Sequence, residues 1–103
     1  MTQQSFLSSF NSSNYQSRAL LRNAILLQLE ASSPISLPLS TLRNGVQLAG
    51  FCNLSTTALV KEMAYLLDKE LIVIESPNPV SPNLDRYRIN AKGQDYLESQ
   101  NLI

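Results

Sequence analysis

Five residues, Thr56, Thr57, Val60, Lys61 and Ala64, recur at the spacing of one helical face. They supply two hydroxyls, one cation and two small apolar groups, where a solvated face would normally carry several charges. A face of that composition suits close apposition to another surface. A second cluster is Arg86 and Arg88, which alternate in "DRYRIN" and would point outward together from an extended strand. Bond-making chemistry is harder to find. Histidine is absent, which removes the commonest general base and metal ligand. The single cysteine, Cys52, supports neither an internal disulfide nor a thiolate metal cluster, and it reads as a small packed or partly buried residue rather than a reactive one. Gly45, Gly50 and Gly93 are isolated, so no glycine-rich phosphate loop is formed. No Asp/Glu pair stands in an apolar setting that would tune one carboxyl against the other, and Glu62, Asp68 and Glu70 read as a solvated helix face. The expectation is a protein that is not an enzyme and uses no cofactor or metal.

A chain of 103 residues, 44% hydrophobic and 16% charged, fits one domain with one core. The expected division is a flexible Ser/Asn/Gln-rich arm over residues 1–16, followed by a domain over 17–103. The opening "MTQQSFLSSFNSSN" lacks a basic segment followed by an apolar run, and "ALLRNAILLQL" is interrupted by Arg22, Asn23 and Gln28. Neither a secretory signal nor a membrane span is expected, and a reducing cytoplasm is the expected location. Net charge is zero but unevenly spread: +2 over residues 1–52, −3 over 53–85 and +1 over 86–103. Affinity for a polyanion would therefore rest on a few placed cations, or on two copies pooling theirs.

The elements that would hold these residues follow from periodicity. A first helix is predicted over about Ser17 to Glu30, with Arg18 and Arg22 sharing its wet face. Pro34 and Pro38 end it and favour a short strand around Ile35 and Leu37. A second helix runs from about Leu39 to Ala49, with Gly50 as a left-handed stop. Gly45 in its middle points to a close neighbouring helix. Ser55 caps a third helix whose inward stripe is Leu59, Met63, Leu66 and Leu67. "LIVIES" and "DRYRIN" form a hairpin across "PNPVSPNLD", with Tyr87 and Ile89 inward. A last helix follows Asn90, over about Ala91 to Asn101.

That order, carried by "LSTTALVKEMAYLLDKELIVIE" and "YRINAKGQDYLE", resembles the winged helix-turn-helix pattern over roughly residues 17–99. Tyr87, Ile89, Asn90 and Gly93 take the places of that pattern's strand-to-helix turn, while Glu70 stands where it usually has glycine. "ISLPLSTLRNGVQLAGF", joined to the third helix, is similar to small uncharacterised winged-helix proteins of Mu-like phages and prophages. The resemblance implies a mainly α (α+β) fold, with a three-helix core, a β-hairpin wing and a final helix. It also implies a sequence-specific reader of double-stranded DNA, acting as a dimer, with regulation of a phage or mobile element in the host cytoplasm as the implied role. Thr56, Thr57, Val60, Lys61 and Ala64 would enter the major groove, and Arg86 and Arg88 would meet phosphates. Phe6, Phe10, Leu102 and Ile103 would supply dimer or partner contacts. The alternative is a protein-interaction module, since the third helix lacks outward Arg, Asn or Gln to read bases.

Overall fold

A computed structural model describes residues 18–75 and 85–103 of the chain. Phe6, Phe10 and the rest of the predicted arm, together with the proline-rich hairpin tip, lie outside these residues. The described elements are helix α1 (18–32), strand β1 (Leu37–Pro38), helix α2 (Leu39–Leu48), helix α3 (Thr56–Asp68), strands β2 (Ile72–Ile74) and β3 (Arg86–Ile89), and helix α4 (Ala91–Ser99). This is a mainly helical α+β domain with a small antiparallel sheet in the order β1-β3-β2.

The core is built from one stripe of each helix. Leu21, Ile25, Leu26 and Leu29 of α1 meet Leu42 and Val46 of α2, Leu59, Met63 and Leu66 of α3, and Leu97 of α4. The sheet closes this core with Ile72, Tyr87 and Ile89. Tyr87 and Ile89 face inward as the strand alternation predicts. Apolar sequence and burial part company at Leu20, which extends the apolar arc of α1 but remains 58% exposed. Cys52 is exposed rather than packed, because it lies in the turn between α2 and α3.

Three helices end in the same way. At α2 the amides of Gly50 and Phe51 reach back to the carbonyls of Gln47 and Val46, with Gly50 at a φ of 126°. At α3 the amides of Glu70 and Leu71 reach Leu67 and Leu66, and at α4 those of Asn101 and Leu102 reach Glu98 and Leu97. These paired bonds satisfy carbonyls that a helix otherwise leaves open. Glu70 and Asn101 occupy the left-handed position with φ of 62° and 59°. Glu70 therefore does what glycine usually does there, and its carbonyl is held by the Asn90 side-chain amide at 2.7 Å.

The junction of β3 with α4 is tighter still. Asn90 caps α4 by accepting from the Gly93 amide at 2.8 Å, while its own backbone amide donates to the Leu71 carbonyl. A Cβ on Gly93 would collide with that carbonyl oxygen and with Ile89 Cγ1. Gly45 differs: a Cβ there meets only the end of the Gln28 side chain, which can swing aside, so α1 is close but does not demand glycine.

Two substitutions should therefore shift stability in opposite directions. Gly93→Ala should cost about 2 kcal/mol by overpacking against backbone, whereas Glu70→Gly should gain up to about 1 kcal/mol by relieving left-handed strain. Urea unfolding of both variants beside the parent checks both signs.

Candidate functional site

The rotation of α3 about its axis decides which residues it presents. Leu59, Met63 and Leu66 turn inward, and Glu62 lies beside them, only 5% exposed. Its carboxylate accepts from Arg22 Nε at 2.6 Å and from Arg18 Nε at 3.4 Å. This corrects two expectations. Glu62 is not on a solvated face, and Arg18 and Arg22 are not merely the wet side of α1. Packing of α1 over α3 covers the carboxylate, and a buried charge needs a partner. The two arginines, one helical turn apart, supply it. The Arg22 guanidinium also lies 3.8 Å from the centroid of the Tyr65 ring, a cation–π contact that adds a second tie between the helices.

With Glu62 inside, the opposite face of α3 is outside. Thr56, Thr57, Val60, Lys61 and Ala64 are all exposed, so all five predicted residues share one open face. No ion-pair partner lies within 4 Å of Lys61 among the described residues, and the exposed Asp68, one turn beyond Ala64, places the row's one carboxylate at its C-terminal end. The start of α3 is set by Ser55, whose hydroxyl accepts from the Ala58 amide at 3.1 Å. Just before it, the Leu54 carbonyl accepts from both Arg43 Nη2 and Gln47 Nε2. Arg43 thereby brings a cation from α2 to the entrance of α3. Sequence reasoning missed it, because nothing local links residue 43 to residue 54.

The arginine pair on β3 is outward, but both side chains are engaged. Arg86 donates from Nε to the Ser36 hydroxyl at 3.1 Å and from Nη2 to the Ser36 carbonyl at 2.8 Å. Ser36 is buried, so this arginine fastens the chain leading into β1 onto β3. Arg88 pairs with Glu75 across the hairpin at 3.1 Å. The structure thus separates the predicted site into an open helix face and a strand pair with internal partners. Between the two arginines, Tyr87 is buried, and desolvation followed by the nearby Asp85 charge raises its pKa above the ordinary phenol value. Leu102 and Ile103 are partly exposed, at 38% and 51%. Leu102 borders an apolar groove of about 530 Å³ that Leu20, Leu27 and Phe51 also line.

Among the described residues, no group of three or more His, Cys, Asp or Glu side chains comes together, and no helix is long and apolar enough to cross a membrane. No family model, curated protein or solved structure matches this chain.

Glu62→Gln should lower stability by about 2 kcal/mol, the range for a hydrogen bond to a buried charge. Arg18→Ala, at a largely exposed partner, should cost well under about 1 kcal/mol; chemical denaturation of both variants reads the contrast. Tyr87 gives a pH signature. A raised folded-state pKa favours the neutral phenol in the fold, so its stabilising contribution is complete below about pH 10 and is lost as pH rises through the raised value. Unfolding curves of the parent and Tyr87→Phe should diverge above that pH, with the parent losing more.

Proposed function

We propose that this chain is a winged helix-turn-helix protein that binds double-stranded DNA sequence-specifically as a dimer. In this reading α3 enters the major groove and the β2–β3 hairpin lies along the backbone. The element order from α1 to α4 and the sheet order β1-β3-β2 are compatible with it. The observation that carries it is the open face of α3, with Thr56, Thr57, Val60, Lys61 and Ala64 in one exposed row and Asp68 only at its far end. Threonine hydroxyls would meet phosphates or base edges, and Val60 and Ala64 would meet thymine methyls. Lys61 would contribute a charged contact, and Arg43 would stand near the backbone at the entrance of α3.

A dimer would double these few cations, and the groove beside Leu20 and Leu102 offers an apolar surface for pairing two copies. A role in regulating a phage or mobile element, within the host cytoplasm, rests only on the resemblance of "ISLPLSTLRNGVQLAGF" joined to the third helix. One observation favours the second reading, a protein-interaction module: Arg86 and Arg88 are already bonded to Ser36 and Glu75, so phosphate contacts would have to share or displace those partners.

Selection from random duplex DNA at low and near-physiological salt tests the proposal, with oligomeric state recorded on the same samples. Val60→Glu should abolish enrichment by placing a carboxylate on the face without disturbing the core. Lys61→Ala should weaken binding uniformly and reduce the salt slope by about 1. A two-fold symmetric motif would report the dimer. Folded parent protein that binds no DNA even at low salt would refute the DNA reading and leave the α3 face to a protein partner.

A further inference from the structure

Behind α3, away from its open face, α1, α3 and α4 leave a cavity of about 350 Å³. Its volume lies at the lower end of small-molecule sites. The apolar part of its lining comes from Leu26, Leu66 and Leu71, two of them otherwise fully buried. Two aromatic rings flank it. Tyr65 is held against Arg22, and Tyr96 is held through its hydroxyl, which donates to Asn23 Oδ1 at 3.1 Å. The lining contains no acidic residue, yet it includes Arg22, Lys69 and Lys92.

Those three cations differ in what already balances them. Arg22 is matched by the buried carboxylate of Glu62. Lys92 has only the exposed Glu70 at 3.4 Å, a contact that water screens. Lys69 has no carboxylate partner among the described residues and lies 5.7 Å from the Tyr65 ring centroid. An apolar interior between fixed rings, with an unpaired cation at Lys69 and a weakly paired one at Lys92, defines a ligand class: a flat, apolar body carrying one anionic group.

We propose that this cavity binds small aromatic monocarboxylates, with the ring on the leucines and the carboxylate between Lys69 and Lys92. The site is independent of what the open face of α3 contacts. It shares α3 with that face, so an occupant would touch the same helix from behind.

The test uses the full chain and cinnamate as probe, followed by NMR shifts of the leucine methyls and the lysine-bearing amides. Cinnamide, the neutral isostere, and inorganic phosphate are the comparators. Cinnamate should bind with a Kd of about 1 mM or tighter, as expected for a ligand of that size. Its shifts should centre on Leu26, Leu66 and Leu71. Cinnamide and phosphate should each bind at least about tenfold more weakly, since each lacks one half of the recognition. Lys69→Gln/Lys92→Gln changes only exposed side chains, so it should keep the fold and lose about tenfold in cinnamate affinity. Equal binding of cinnamide, an unaffected double variant, shifts centred on the groove by Leu20 and Phe51, or no binding at about 10 mM would each overturn the proposal. None of these readouts involves DNA, so failure here and failure of the DNA reading remain distinct.

Discussion

A single buried carboxylate governs how α3 is presented. Glu62 sits within the apolar stripe of α3, and its charge is tolerable inside because Arg22 and Arg18 reach it from α1. Rotating α3 by one residue position would drag that charge out of register with both arginines and expose Leu59 and Met63 to water. The ion pair therefore fixes the helix about its own axis as well as in position. Hydrophobic burial supplies most of the driving force for packing α3 on α1, but it is non-directional. The Glu62 contact, reinforced by Arg22 over Tyr65, selects one rotation, and the open face follows from it.

The second constraint lies at the junction of α3, β2 and α4. Leu71 follows α3 after one left-handed residue, and its carbonyl is approached by both the Asn90 amide and the Cα of Gly93. The end of α3, the base of the hairpin and the start of α4 are thus tied at one point. Glu70 tolerates its unusual backbone because Asn90 holds its carbonyl and the paired end-of-helix bonds hold its amide. Strand β2 leaves this junction and β3 returns to it. On its other side, β3 carries the short β1, fastened by Arg86 to the buried Ser36.

The charge distribution acquires meaning only in this frame. The net-positive N-terminal half owes its sign to Arg18, Arg22 and Arg43, yet two of these serve Glu62 and the third holds the Leu54 carbonyl. Arg88 is balanced by Glu75. Among the described residues, the cations with neither a carboxylate nor a hydrogen-bond partner are few, with Lys61 on one side of α3 and Lys69 on the other. A neutral protein with so few free cations gains little from nonspecific attraction, so any recognition by α3 must depend on close fit of small side chains.

Local chemistry was legible in the sequence because its causes are local. The Ser55 and Asn90 caps, the Gly50 stop and the inward alternation of Tyr87 and Ile89 each depend on residues within a few positions, where hydrogen-bond geometry and side-chain period leave little choice. The row Thr56, Thr57, Val60, Lys61 and Ala64 was legible for the same reason. Periodicity was silent on partners distant along the chain. Glu62 looked solvated because the arginines that bury it lie 40 and 44 residues away. Arg86 and Ser36 are 50 residues apart, so their bond leaves no mark on either local pattern. The chemistry of Cys52 suggests a packed or partly buried residue, and only the path of the α2–α3 turn leaves it exposed. Sequence alone determined which faces exist, because helix and strand periods are properties of the backbone. Tertiary structure decided which charges are spent in holding those faces and which remain available, because Coulomb contacts depend on distance in space rather than along the chain.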